Sequence, residues 1–449
     1  MTGSDPATVG PRLSAADHAA VEDLVSPGEQ RLARQFPGPD LSRQPVHTAY
    51  LPADAVAVDT PQRWGRAALI ALDNHAPTAS ALAAAAGVDE AATAAVWPLI
   101  RRKLTTQPIE DLRIDLEDGY GDRGDEAEDA DVSAAVTALA RAEAAGGAPP
   151  VWGVRFKSLE AGTRARGLRT LDLALSSALA VGPLPAGFVV TLPKVTTTEQ
   201  VAGMVEACAR LERAHGLDEY RLHFEIQVET PQSILGPDGG APVARWIQEA
   251  DGRCSGLHFG TYDYTAALGI AAAYQSMEHP AADHAKAVMA LAAAGTRARL
   301  SDGSTNVVPV GDESVVHAAW ALHARLVRRS LERGYFQGWD LHPAQLPTRY
   351  LSTYLFFRDG LAVVLKRLGA FASGSAGGGV MDEPATAQAL AAFVRRGVHC
   401  GAVTLDEVQS QTGVDLAVLD ALAVRRGDLP TRLTDLSAIP TAMSAADLP

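Results

Sequence analysis

Cysteine is scarce in this chain. The three present, Cys208, Cys254 and Cys400, are too widely separated for a Cys-x-x-Cys metal motif or a disulfide framework. A reducing compartment, the cytoplasm, fits that usage best. Positive charge is also in the minority: 39 Lys and Arg face 53 Asp and Glu, for a net charge of −14. That balance argues against nucleic acid and membrane as partners, since both require concentrated cationic side chains. The N-terminus has no basic stretch followed by an apolar core, so it does not read as a secretory signal. No apolar run reaches bilayer-spanning length, and alanine-rich stretches such as 81–86 read as ordinary helix. No Gly-x-Gly-x-x-Gly follows an early strand-like run, and no internal repeat is present.

What is there points to a large enclosed fold. With 449 residues, 47% of them hydrophobic, the chain exceeds one minimal domain and can bury a sizeable core. Strand-like runs fall at 48–51, 112–116, 151–156, 188–192, 222–228, 256–259, 306–310 and 338–341. Helical patterns separate them at 127–145, 162–180, 198–215, 243–249, 284–294 and 313–333. Eight such β/α alternations predict an α/β protein of the (β/α)8 TIM-barrel class, with an open doubly wound sheet as the alternative. The expected organisation is a helical N-terminal extension over 1–45, started by the capping pattern Leu13-Ser14-Ala15-Ala16-Asp17, a barrel over 46–350, and a helical C-terminal extension over 351–449. In that extension, 353–372 reads as helix and 372–379 as a small-residue linker. Further helices are expected at 385–397 and 404–412, with the last twenty or so residues loosely ordered.

Several strand-like runs stop abruptly in polar residues, which is how a barrel of this class assembles an active site. Glu229 and Asp263 end the fifth and sixth runs. Adjacent strands lie about 5 Å apart, so these carboxylates can converge on one ion. Mg²⁺, with Mn²⁺ as the alternative, suits such oxygen donors and leaves positions for substrate oxygens. Arg155 ends the third run and is costly there unless it meets an anion. A substrate carboxylate or developing enolate is one reading, a structural pair with an acid such as Asp118 the other. Glu117 and Asp118 follow the second run, and alternation points Asp115 and Glu117 one way and Asp118 the other. Lys194, in Leu192-Pro193-Lys194-Val195, is a substrate-neutralising cation, a Schiff-base lysine or a structural ion-pair partner. His342 is a proton shuttle or a hydrogen-bonded loop anchor.

Taken together, Asp115–Asp118, Val154-Arg155, Leu192–Val195, Glu229-Thr230-Pro231, Phe259–Asp263 and Leu341–Gln345 resemble, in order, motifs of the HpcH/HpaI aldolase and citrate lyase β-subunit-like family, within the phosphoenolpyruvate/pyruvate barrel superfamily. The resemblance extends to Gly369-Ala370-Phe371 and to Val380-Met381-Asp382-Glu383-Pro384. It implies a carbon–carbon lyase or aldolase that cleaves or forms a 3-hydroxy acid, or its coenzyme A thioester, through a metal-held enolate. Glu229 and Asp263 would be the metal ligands and Arg155 the clamp; from their own places at the strand ends, Glu117, Asp118, Lys194 and His342 are read as further substrate-binding residues. Asp382 would be an acid/base on a lid from a neighbouring subunit of a homo-oligomer, a trimer or hexamer; on its own pattern it reads as a helix cap before Pro384. Two departures stand out. The expected basic residues for coenzyme A are missing after Ala49-Tyr50-Leu51-Pro52, where only Arg63 and Arg66 could serve, and Tyr262 stands where relatives often carry an acid. The alternatives are an acyl-thioester hydrolase, a malate-synthase-like condensing enzyme, or a metabolite-binding barrel without catalysis.

Overall fold

The computed structural model describes residues 11–372 and 384–424. Eight parallel strands follow the chain: β1 Thr48–Pro52, β2 Asp111–Asp115, β3 Val151–Arg155, β4 Phe188–Leu192, β5 His223–Val228, β6 Cys254–Phe259, β7 Arg299–Ser301 and β8 Trp339–Asp340. Each of β1 to β6 pairs with the next in sequence, and β8 pairs with β1. The ring closes between β7 and β8. Ser301 bridges to Gln337, the Asp302 N–H donates to Gln337 O at 2.8 Å, and the Trp339 N–H donates to Gly303 O at 3.2 Å. This is a (β/α)8 barrel.

The seventh strand lies earlier than the sequence predicts. Residues 306–310 form no strand, and Val307, Val308 and Val310 are exposed. Pro309 has no N–H to donate to a ladder, so β-branched composition alone does not make that stretch a strand. The segment is instead a loop at the barrel mouth, where Asn306 N–H donates to the Tyr262 hydroxyl at 2.7 Å. The helix expected over 353–372 is also two helices, Leu346–Arg358 and Leu361–Ala372. Asp359-Gly360 separates them, with Gly360 at φ +69°, a conformation glycine adopts without strain.

Two apolar clusters hold the fold. One lies between the outward faces of the strands and the surrounding helices, and includes Leu112, Ile114, Val154, Phe224, Ile226, Val228 and Trp246. The other lies among helices Thr60–His75, Ala79–Ala86 and Glu90–Thr106, inserted between β1 and β2, and the C-terminal helices; Leu72, Ile100, Trp320, Leu351, Phe357, Leu365, Val394 and Leu419 meet there. The lead-in helix Ala15–Gln35 starts with a capping box between Ser14 and Asp17 and buries none of its residues. No helix among the described residues is long and apolar enough to cross a membrane.

The barrel's inside is polar. Arg113 on β2 donates to Glu225 on β5 at 2.9 and 3.0 Å, a bond between non-adjacent strands that must cross the interior. Arg113 also grips Asp111 through two bonds of 2.9 Å, while Glu225 accepts from Thr191 at 2.5 Å and meets His258 Nε2 at 2.9 Å. Arg113, Asp111, Glu225, Thr191 and His258 are all buried. On β8, Asp340 is ringed by His47, His323 and Arg349 at 2.6, 3.1 and 3.0 Å. The Glu110 N–H donates to His47 Nε2, so His47 turns its Nδ1 to Asp340.

Candidate active site

The mouth is built on the turn after β2. Asp115 is the last residue of that strand and accepts the N–H groups of Glu117 at 3.0 Å and Gly119 at 2.8 Å. A Cβ on Gly119 would lie 2.5 Å from Asp115 Oδ2, so the turn requires glycine by close approach. Because the strand ends at Asp115, the alternation expected beyond it does not hold. Glu117 and Asp118 both reach Lys194 rather than pointing apart, at 3.1 and 3.0 Å from its Nζ.

Arg155, on neighbouring β3, gives Nε and Nη2 to the two oxygens of Asp115 at 2.7 and 2.6 Å. Its structural partner is therefore Asp115, not Asp118. Nη1 has longer contacts, 3.3 Å to Gln227 Oε1 and 3.4 Å to Glu117 Oε2, and the guanidinium carbon lies 4.8 Å from the centre of the Tyr50 ring. Burial works against the charge, but Asp115 and Glu117 raise the Arg155 pKa above its ordinary value.

Glu229 stands just past β5 and is 1% exposed. One of its oxygens accepts the Lys194 backbone N–H at 2.6 Å and the other the Gln227 amide at 2.5 Å. A Cβ on Gly260, at the end of β6, would lie 2.5 Å from Glu229 Cβ, so glycine there admits the carboxylate. Lys194 itself adopts φ +50°, uncommon for a residue with a Cβ, and this bend turns its N–H toward Glu229. Its Nζ also lies 3.3 Å from Asp263 Oδ2, in the first turn of helix Thr261–Ala267. Asp118, Glu229 and Asp263 offer oxygens that all lie within 4.8 Å of one another.

The electrostatics follow from that crowding. Burial pushes the Glu229 carboxyl up to about 8; Lys194 opposes the rise, while Glu117 and Asp263 add to it. Burial likewise carries Glu117 to about 7 against the pull of Arg155 and Lys194. For Asp118, hydrogen bonds to Glu117 and Lys194 outweigh burial and hold the carboxyl below its ordinary value. Lys194 is half-buried, which disfavours its charge, but Glu229, Glu117 and Asp263 raise its pKa.

The structure thus brings Arg155, Glu117, Asp118, Lys194, Glu229 and Asp263 together. His342 makes a different contact: its Nδ1 accepts the Ala344 N–H at 3.2 Å, and Gln345 accepts the N–H groups of Leu341 and His342. That is a loop-anchor geometry. Asp382 lies outside the described residues. Arg63 and Arg66 both pair with Asp59 on the surface. Gln227 escapes a reading by strand ends, although its position two residues before Glu229 on β5, hence on the same face, is the signal for it. The three carboxylates are hard oxygen donors, a set whose chemistry fits Mg²⁺, with the Lys194 ammonium now lying against Asp118 and Asp263.

Over residues 25–427 the sequence matches the family described as a domain of unknown function, DUF6986. The chain belongs to that family. No match is found among curated proteins. Among solved structures, the chain is similar to Haloferax volcanii malate synthase in its lead(II) complex, with TM-score 0.47 and 16% identity over 69% of this chain and 72% of that one. It is also similar to the citrate lyase β subunit from M. tuberculosis complexed with oxaloacetate and magnesium, with TM-score 0.41 and 18% identity over 70% and 98% of the two chains. A third is an HpcH/HpaI aldolase from Desulfitobacterium hafniense DCB-2, with TM-score 0.37 and 12% identity over 75% and 95%.

Proposed function

We propose that the barrel mouth binds Mg²⁺ through Asp118, Glu229 and Asp263 and acts as a carbon–carbon lyase or aldolase on a 3-hydroxy acid or its thioester. The observation that carries this reading is the convergence of three carboxylates within 4.8 Å at strand ends. Relative to the sequence expectation of Glu229 and Asp263 alone, Asp118 joins the donor set. When bound, the metal would polarise a carbonyl oxygen and offset the negative charge that develops on it.

The chain's own groups would supply the rest. In the cleavage direction a base takes the 3-hydroxyl proton, the C2–C3 bond breaks, and its electron pair becomes an enolate that then accepts a proton. The Arg155 guanidinium and the Lys194 ammonium are the cations at hand for a substrate carboxylate or that enolate. Glu117, at about 7, exchanges a proton near neutral pH, as a general acid or base must. Asp382 is the second candidate for that role, on the strength of the family resemblance. The polar lining, and the pairing of Arg63 and Arg66 with Asp59, leave the free acid as the simpler substrate.

The test is a screen of 2-oxo acids, 3-hydroxy acids and acyl thioesters with Mg²⁺, following cleavage, condensation and thiol release together. Expected are two carbon fragments from one substrate, activity abolished by chelation, and a loss of at least about a thousandfold in Glu229→Gln or Asp263→Asn. Turnover that persists in both variants under chelation overturns the mechanism.

A further inference from the structure

At the opposite end of the barrel from the carboxylates there is a cavity of about 390 Å³. Its loops, 39–44, 294–299 and 334–336, all precede strands, so it opens on the N-terminal face, far along the strands from the mouth. Helix Pro384–Cys400 forms its other wall and contributes Arg395, Arg396 and His399, which meet Arg297 and Arg299. In a chain of net charge −14, so many cations around one cavity need an explanation.

Acids account for only part of it. Arg299 is held by Asp40 at 2.7 Å and Arg395 by Asp420. Among the described residues Arg396 has no ion pair or hydrogen bond; its guanidinium lies over the Phe336 ring at 4.0 Å from the centroid. That stacking fixes the plane of the fork and leaves its N–H edges unspent. Burial, then Arg395 and Arg299, lower the Arg396 pKa to about 10. His399 is carried down to about 4 by burial and Arg395, so the imidazole is neutral and adds a hydrogen-bonding group rather than charge. Cations that depress one another around one cavity are the complement of an absent anion.

We infer that this cavity is a second binding site, for a small multivalent anion bearing phosphate or carboxylate groups, with Arg396 as the central recognising fork and Arg299 and Arg395 beside it. Both anion types take a bidentate guanidinium, and the volume suits a metabolite rather than a macromolecule. The site is separate from the carboxylate ring, so it stands or falls independently of the lyase reading.

The test is calorimetric titration of the full chain, in chelator-treated buffer without Mg²⁺, with inorganic pyrophosphate in one arm and citrate in the other. Saturable binding of either probe is expected, phosphate and carboxylate chemistry being distinguished by which arm responds. Arg396→Met should weaken it by at least about tenfold, the size of one charge-assisted pair. Arg210→Met, on a surface arginine paired with Glu206, should bind as the unaltered protein does. Arg396→Lys keeps the charge and loses the fork; in case the methionine variant fails to fold, it should still fold and bind several-fold more weakly. Absence of saturable binding in both arms overturns the inference. So does binding that Arg396→Met and Arg396→Lys leave intact, as citrate lodged at the mouth would produce.

Discussion

Glu225 and Glu229 lie four residues apart on and just past β5, both facing the barrel interior and both buried, yet they end in opposite states. Glu225 has its charge met in place by Arg113, with His258 and Thr191 adding bonds, and its pKa falls below the ordinary value despite the cost of burial. Glu229 meets only an N–H and an amide, beside Asp118 and Asp263, and its carboxyl rises to about 8. The middle of the barrel is nearly matched: Arg113 serves both Glu225 and Asp111, and burial together with the Glu225 charge leaves the Asp111 carboxyl raised to about 6. The mouth is not matched: Asp115, Glu117, Asp118, Glu229 and Asp263 share Arg155 and Lys194. One fold thus keeps a buried network as structure and a surplus of acid at the mouth, where we propose that a cation binds.

The sharpest way to break this contrast is to remove the matching cation. Arg113→Met leaves Asp111 and Glu225 buried without their counter-charge and should cost about 3–5 kcal/mol, read from urea unfolding. A cost under about 1 kcal/mol would mean the middle network is not what holds those acids, and the contrast with the mouth would fail.

At the mouth, the expected effect of losing a carboxylate is on the ligand rather than the fold. Mg²⁺ at a hundred times its Kd should stabilise the protein by about 2.7 kcal/mol, and Glu229→Gln or Asp263→Asn should abolish that gain while leaving the metal-free protein folded. Lys194→Met has a smaller effect of the opposite sign. Its ammonium lies 3.0 to 3.3 Å from three carboxylates and competes with an incoming cation, so its removal should tighten Mg²⁺ binding by about tenfold in titration calorimetry. Weaker binding in that variant would make Lys194 a support for the site rather than its occupant.

The same contrast explains what the amino-acid sequence discloses. β4 and β5 are legible because Phe188–Leu192 and His223–Val228 are rich in Val, Ile, Leu and Phe and stop at polar residues. β7 is not, because Arg299-Leu300-Ser301 has neither length nor β-branched residues; closure of the ring, a tertiary constraint, makes it a strand. The convergence of Glu229 and Asp263 follows from strand adjacency. The inclusion of Asp118 does not, since it depends on β2 ending at Asp115 and on the turn that Asp115 itself holds. The interior network is opaque for a related reason: Arg113 and Glu225 are far apart in sequence and sit on strands that do not pair, so only the closed barrel makes them partners.

The finest test of the comparison is the pH dependence of the metal-free protein. Glu229 binds its proton up to about pH 8 when folded, against an ordinary value of 4.5. Between those limits the folded state holds a proton that the unfolded chain has released, so this group makes stability fall as pH rises, by about 1.4 kcal/mol per pH unit. Glu117, raised to about 7, acts in the same direction up to that pH. Asp118 and Glu225 are lowered, so their contributions are complete above their ordinary values and drop out of this window. His323, His342 and His399 act oppositely: their lowered values make stability rise with pH as the window of their ordinary 6.5 is approached. The total slope therefore mixes signs, and the diagnostic quantity is the difference between the unaltered chain and Glu229→Gln. In chelator, from pH 5 to 7.5, the unaltered chain should lose stability relative to the variant by about 1 kcal/mol per pH unit, measured by urea unfolding at each pH. Parallel curves would show that Glu229 is already ionised in the metal-free fold, its charge met as fully as that of Glu225, and the mouth would then hold no unmatched acid for a cation to satisfy.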